Sequence, residues 1–207
     1  MKVEKNFKYM VQLEREYRLV IGVSGSSGVI YAIRLLEVLR QMNVEIHLVL
    51  TPAAREIIVL ETEYTVDYVE SLANSSYKHT DVSAVISSGS FQTNGMVVAP
   101  CSMKTLAGIA HGYEENLLIR AALVTLKEKR PLVLVPRETP LAIPHLKNML
   151  LAAEAGAIIL PAMPGFYHKP KTIDDIVNHI VGKILDVLGL KHELYQRWMG
   201  PRKSKML

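Results

Sequence analysis

Short apolar runs alternate along the chain with longer segments in which apolar residues recur at helical spacing. The short runs predict β-strands at 18–23, 45–50, 96–99, 131–136 and 157–160. The longer segments predict helices at 28–41, 105–110, 117–129, 141–155 and 173–188. This alternation is typical of a mainly parallel sheet covered by helices on both faces, so we expect a three-layer α/β fold.

The stretch 64–94 is the least regular part of the chain, and its polar segment 87–90 predicts a loop. We find no internal repeat and no linker rich in Pro, Gly or Ser, and 207 residues are enough for one domain with its own core. We therefore expect an N-terminal extension over 1–18, a single α/β domain over 19–190 and a basic tail over 191–207.

Composition narrows the protein class. The single cysteine, Cys101, excludes an intrachain disulfide framework and favours a reducing, cytoplasmic setting. Residues 1–18 mix charged and apolar side chains unlike a signal peptide, and no run is long enough to predict a membrane span. The net charge of +4 is spread along the chain, with part of it in the tail, at Arg197, Arg202, Lys203 and Lys205. This distribution favours a small phosphate-bearing ligand over nucleic acid.

The predicted strand 131–136 runs directly into Arg137-Glu138-Thr139-Pro140, so opposite charges lie side by side at its end. Ligands of open α/β sheets bind beyond the carboxyl ends of the strands. This position favours two side chains that take part in ligand binding or catalysis. A surface ion pair in a loop is an equally good interpretation of this segment taken alone.

Two other strand ends carry hydroxyl-rich turns that open helices. The first, Gly25-Ser26-Ser27-Gly28, suits an anion, but it matches neither the dinucleotide fingerprint nor a Walker motif, and a tight turn explains it equally well. The Ser27 hydroxyl is also suited to donate to a heterocycle. In the second turn, Ser102 and Thr105 either cap a helix or bind a ligand. Cys101 beside them has no histidine partner by spacing and is better explained as a small buried apolar residue.

A proline-rich loop over 161–170 follows the last predicted strand. Its aromatic residues, Phe166 and Tyr167, either cover a flat ligand or fill the core. The histidines are scattered without metal-ligand spacing, so no metal site is predicted.

Taken together, these motifs resemble the UbiX/Pad flavin prenyltransferases. The resemblance runs from about Leu19 to Trp198 and rests on 25–28, 100–106, 126–141 and 164–167, in the same order and with compatible spacing. It implies a flavodoxin-like (Rossmann-like) fold in a dodecamer. It also implies that the enzyme joins the dimethylallyl group of dimethylallyl phosphate to reduced FMN, and that the prenylated FMN serves a UbiD-type decarboxylase in ubiquinone synthesis or aromatic acid breakdown.

The same resemblance implies roles for individual residues. FMN-binding positions are Gly25, Ser26, Ser27, Thr51, Ser102, Met103, Lys104, Thr105 and Arg137. Substrate-binding positions are Tyr167, Lys183 and Trp198, and Lys183 replaces an arginine common among relatives, which keeps the charge but loses the planar fork. Catalytic positions are Ser27, Glu61, Lys127 and Glu138.

These assignments are chemically consistent. Lys127, Arg137 and Lys183 supply positive charge to a departing phosphate, and Glu61 or Glu138 protonates it. Two other functions compete. A flavin-dependent cysteine decarboxylase of similar fold is disfavoured because Pro164 follows Pro161-Ala162-Met163 where those enzymes have asparagine. A non-catalytic FMN-binding partner protein would need no Glu61, Lys127, Glu138 or Lys183.

Overall fold

The structure is a computed structural model and describes residues 17–200. Most of the predicted extension 1–18 therefore lies outside the described residues. The same is true of the end of the predicted tail, including Arg202, Lys203 and Lys205. The domain boundaries at 18 and 190 remain predictions.

Six parallel strands form one sheet in the order β3-β2-β1-β4-β5-β6. The strands are β1 Arg18–Val23, β2 Glu45–Leu50, β3 Ser75–Lys78, β4 Gly95–Cys101, β5 Leu132–Pro136 and β6 Ile158–Ile159. The helices are α1 Val29–Gln41, α2 Pro52–Glu61, α3 Val66–Ser71, α4 Met103–Ala110, α5 Leu117–Lys127, α6 Ile143–Glu154 and α7 Ile173–Val187. This order confirms the predicted three-layer α/β fold, and the order reverses between β1 and β4, which creates a crevice there.

The hydrophobic core is divided by the sheet. Alternate residues of each strand point to opposite faces, so Leu19 and Ile21 pack under α1 and α7 while Val20 packs on the other face. The second face is covered by α4, α5 and α6, with buried residues such as Leu106 and Leu118. Helices therefore shield both faces of the sheet from water, which explains why the central strands are almost continuously apolar.

Three elements differ from the sequence-based prediction. The structure has a helix α2 immediately after β2, and α3 and β3 lie within the stretch 64–94 that was expected to be irregular. The Thr51 side chain caps α2 and Pro52 occupies its first turn, which are ordinary helix-start signals. β3 is a short edge strand whose exposed positions are polar, so it lacks the apolar run by which the other strands were recognised.

The remaining boundaries shift by a few residues. Ser102 is the N-cap of α4, which therefore begins at Met103 rather than at Thr105. Residues 17–200 contain no helix that is both long and apolar enough to cross a membrane.

Candidate functional site

A cavity of about 630 Å³ lies where the strands β1 to β5 end. Its position at the reversal of strand order is the usual ligand position in an open α/β sheet. The cavity brings together most of the residues expected to bind FMN and one of the two expected acids: Gly25, Ser26, Thr51, Ser102, Met103, Lys104, Thr105, Arg137 and Glu138.

Helix N-termini converge on this cavity, and each brings the positive end of a helix dipole to it. Thr51, Ser102 and Asn116 each line the cavity and cap a helix, because the side chain accepts a hydrogen bond from the main-chain N–H three residues later. The last residue of the first turn, Gly28, is the N-cap of α1. Its φ of 98° is readily adopted only by glycine. Unpaired N–H groups at such termini favour an anionic group.

Ser24 connects the first and second turns. Its hydroxyl donates to the Pro100 carbonyl oxygen at 3.0 Å and accepts a hydrogen bond from the Ser102 N–H at 2.8 Å. The residue is almost fully buried, so these bonds are shielded from water. Ser24 was not among the predicted site residues, although it follows directly on the first strand.

Ser26 connects the first turn to the end of β5. Its hydroxyl donates to the Arg137 carbonyl oxygen at 2.8 Å, while the Arg137 side chain is exposed to the cavity. The guanidinium also acts on α1. Burial raises the pKa of Tyr31, and the positive charge of Arg137 opposes that rise. Arg137 is therefore close enough to Tyr31 on α1 for its charge to act there.

Arg137 and Glu138 do not pair with each other. No ion pair joins them in the described part of the chain, and the Glu138 carboxylate instead accepts the N–H of Thr139 at 3.0 Å. Both side chains line the cavity. The surface ion pair considered from the sequence is therefore not formed, and both charges remain available to a ligand.

Ser27 belongs to the first turn and Glu61 lies beside that turn, and neither residue lines the cavity. The Gly28 N–H donates to Glu61 Oε2 at 2.8 Å, so this carboxylate lies at the N-terminus of α1. Ser27 immediately precedes Gly28 and is half-buried. The structure thus brings two of the four predicted catalytic residues, Ser27 and Glu61, close to each other beside the site.

The sequence did not predict one side of the cavity. The lining residues not foreseen are Pro52, Ala53, His79, Thr80, Glu115 and Asn116. Lys104 and Glu115 form an exposed ion pair at 3.0 Å, and the Leu117 N–H donates to the His79 carbonyl oxygen at 2.8 Å. His79 and Thr80 follow β3, and this strand was missed, so no pattern indicated that they reach the site.

Tyr167, Lys183 and Trp198 all lie outside the cavity lining, and Lys183 follows His179 by one turn on α7. The rings of Tyr167 and Trp198 meet edge to face at 6.0 Å, and the Tyr167 hydroxyl lies 3.3 Å from His179 Nε2 on α7. The loop that carries Tyr167 passes the end of β5, because the Ala162 N–H donates to the Pro136 carbonyl oxygen at 3.3 Å.

Lys127 lies at the amino ends of the strands, whereas the cavity lies at their carboxyl ends. It ends α5 before β5 begins, whereas Arg137 follows β5, and a strand of this length spans roughly 16 Å. The Lys127 ammonium is 3.5 Å from Glu128 and largely exposed. The structure therefore does not bring Lys127 into the cavity of its own chain.

The residues present fit FMN. The cavity volume is in the range of small-molecule sites, and the lining combines helix N–H groups and hydroxyls with the cation Arg137, which suits a phosphorylated ligand. Cys101 adjoins the site but is fully buried, and burial raises the pKa of its thiol to about 12. This agrees with the expectation of an inert apolar residue.

Comparison with known proteins gives consistent matches. The family model described as Flavoprotein matches residues 10–185. The flavin prenyltransferase UbiX of Escherichia coli K12 is 52% identical over 186 residues, covering 88% of this chain and 98% of that protein.

Two solved structures superpose closely. One is AnUbiX in complex with FMN and dimethylallyl pyrophosphate, with a TM-score of 0.89, 45% identity and coverage of 91% of this chain and all of that one. The other is a dodecameric FMN-dependent UbiX-like decarboxylase from Escherichia coli O157:H7, with a TM-score of 0.87, 51% identity and coverage of 88% of this chain and all of that one.

Proposed function

Because the chain belongs to the UbiX flavin prenyltransferases of the flavoprotein family, we propose that it transfers the dimethylallyl group of dimethylallyl phosphate to reduced FMN. The main support for this function is the cavity at the ends of β1 to β5. There, the turns that are expected to bind FMN come from separate parts of the chain and meet Arg137 and Glu138. The AnUbiX complex contains both ligand types, FMN and a dimethylallyl phosphate ester.

The flavin is held by the turns at 25–27 and 102–105, by Thr51 and by Arg137. The helix N-termini and the guanidinium bind its phosphate and polar edges. Reduced FMN supplies an electron-rich ring system as the prenyl acceptor. Ser27, at the first turn, relays a proton from a ring nitrogen, and the apolar part of the lining keeps water from the allylic carbon.

The donor loses phosphate as its C–O bond breaks, and the phosphate leaves with the bonding electrons. Positive charge at Arg137 stabilises the negative charge that develops on the leaving oxygen. Glu138 lines the cavity without an ionic partner in the described chain and delivers a proton to the phosphate, with Glu61 as the second candidate acid.

The other predicted phosphate ligands lie apart from the cavity within one chain. Tyr167 and Trp198 pack together on the loop side near the end of β5, Lys183 lies on α7 beside Asp186, and Lys127 precedes β5 at the opposite end of the strand. We therefore propose a homo-oligomer, dodecameric like the relative from Escherichia coli O157:H7, in which neighbouring subunits complete the phosphate site.

The product, prenylated FMN, passes to a UbiD-type decarboxylase, in ubiquinone synthesis or aromatic acid breakdown. We propose a cytoplasmic location, consistent with one buried free thiol.

The test is an anaerobic incubation of the purified protein with reduced FMN and dimethylallyl phosphate, followed by mass spectrometry. The expected product is heavier than FMN by one C5H8 unit, and a parallel incubation with the diphosphate identifies the preferred donor. Bound flavin without an adduct from either donor would overturn the transferase and favour a non-catalytic FMN-binding protein. Release of CO2 from a C-terminal cysteine peptide, again without an adduct, would favour the cysteine decarboxylase.

A further inference from the structure

The C-terminal segment, residues 190–200, folds back onto α7 and is held there by one carboxylate. Asp186 Oδ1 accepts hydrogen bonds from Arg197 Nη2 at 2.7 Å and from His192 Nε2 at 3.1 Å, and Oδ2 accepts from the Tyr195 hydroxyl at 2.5 Å. Hydrogen bonds to a charged acceptor are the strong ones in proteins. A single side chain therefore anchors three residues of this segment.

The helix surface is shaped to receive these rings. Gly182 lies one turn before Asp186, on the same face of α7, and a Cβ at this position would come within 2.6 Å of ring atoms of Tyr195 and His192. Tyr195 also packs on His179, with the ring centroids 4.8 Å apart. The notch at Gly182 and the carboxylate at Asp186 are two independent features that fix the same segment.

The charge of Asp186 is maintained by its neighbours. Partial burial alone would raise the pKa of Asp186, but the hydrogen bonds from Arg197, Tyr195 and His192 outweigh this effect and hold the pKa far below its ordinary value. The carboxylate is therefore ionised throughout the neutral range, and the anchor persists there.

The anchored segment carries Trp198 to the side of Tyr167, with ring centroids 6.0 Å apart. Asp186 Oδ2 also lies 3.7 Å from Lys183 Nζ, one turn earlier on the helix. Asp186 thus contacts Lys183 directly and, through three hydrogen bonds, holds the segment that carries Trp198, which in turn packs against Tyr167. It does not itself lie in the cavity lining.

We propose that Asp186 is a positioning residue that fixes Trp198 against Tyr167 and orients Lys183 for the phosphate of the prenyl donor. This inference rests on the proposed function, because it takes the three side chains as ligands of that donor. Asp186 does not touch the reacting atoms, and its effect is on donor binding rather than on flavin binding.

The experiment uses Asp186→Asn and Gly182→Ala in the full-length chain. The first variant weakens the anchor, and the second blocks the notch with a methyl group while improving helix propensity. Both are expected to raise KM for dimethylallyl phosphate about tenfold, the loss of roughly one charge-assisted hydrogen bond, with kcat and FMN affinity little changed. Asp186→Glu should recover part of the loss, and Asp174→Asn, an exposed acid on the same helix, is the matched control.

Trp198 is the only tryptophan, so intrinsic fluorescence reports the segment without any turnover. We expect stronger acrylamide quenching in both variants and no change in Asp174→Asn. Unchanged quenching in both variants would overturn the anchor, and increased quenching with an unchanged KM would overturn its role in donor binding. A wild-type protein that forms no adduct would instead overturn the proposed function and the donor-binding part of this inference, while the quenching comparison still decides whether Asp186 holds the segment.

Discussion

The Ser26 hydroxyl donates a 2.8 Å hydrogen bond to the main-chain carbonyl oxygen of Arg137 and so joins two strand ends that are far apart in sequence. This bond fixes the first turn relative to the residue expected to hold the flavin. Its geometry is specific, since the main chain of one strand end is the acceptor and the side chain of another is the donor.

Replacing Ser26 by Ala removes that bond while leaving the turn backbone in place. We expect the free energy of unfolding to fall by about 1 kcal/mol and FMN affinity to fall several-fold, because the turn and Arg137 lose their fixed spacing. Denaturant unfolding and flavin titration measure the two effects. Ser71→Ala, which removes a surface hydroxyl bonded to the Tyr68 carbonyl oxygen, should leave FMN affinity unchanged. Equal FMN affinity in wild type and Ser26→Ala would contradict this prediction.

Glu138→Gln is expected to retain FMN and to lose turnover by two orders of magnitude or more, the usual contribution of a positioned general acid. The amide preserves the size of the side chain and its acceptor for the Thr139 N–H, but it has no proton to deliver. Anaerobic product formation measured by mass spectrometry is the readout, with exposed Glu63→Gln as the control. Normal turnover in Glu138→Gln would exclude this residue as the acid.

Glu61 allows a separate test, because its carboxylate also has a structural role as the acceptor of the Gly28 N–H. Glu61→Gln keeps an oxygen acceptor for the Gly28 N–H, whereas Glu61→Ala removes it. If Glu61 acts chemically, both variants lose turnover, but only Glu61→Ala is destabilised, by about 1 kcal/mol. Thermal unfolding and product formation separate the two roles. Full activity in Glu61→Gln would mean that the residue only caps α1.

The sequence predicted the sheet well because its central strands are buried on both faces. Strands β1 and β2 were placed at their observed bounds, and the cavity lies at the strand ends where the charged and hydroxyl-rich turns were expected. These features are local: an apolar run, then a turn, then a helix start. Elements with weaker local signals, such as the short polar edge strand β3, were not predicted. Because β3 was missed, the contribution of His79, which follows it, to the cavity was missed as well.

Long-range geometry explains the other differences. The bond between Ser24 and Pro100 joins residues that are distant in sequence, and nothing in either segment indicates their pairing. Lys127 and Arg137 show the reverse case, because they are close in sequence but separated by the length of β5. The residues of a motif that spans a whole strand therefore lie at the two opposite ends of that strand.

The thiol of Cys101 should be inert in the folded protein. With a pKa raised by burial to about 12, roughly one thiol in ten thousand is ionised at pH 8. We expect iodoacetamide to label the folded chain negligibly and the urea-unfolded chain fully, as measured by mass spectrometry. Because folding raises this pKa, the protonated thiol contributes stability below the unfolded pKa of about 8.5, and this contribution is lost as the pH rises towards 12. Rapid labelling of the folded chain would contradict the burial.

Lys127 lies about one strand length from the cavity of its own chain, so any role in catalysis requires a neighbouring subunit. Lys127→Ala should therefore lose turnover but not FMN affinity, and so should Glu138→Gln. Oligomers reassembled from a mixture of the two variants are expected to regain activity, because some sites combine an intact Glu138 from one subunit with an intact Lys127 from another. Exposed Lys147→Ala should retain full activity alone. Loss of turnover in each variant without recovery in the mixture would contradict a shared site, and full activity of Lys127→Ala would remove the residue from catalysis.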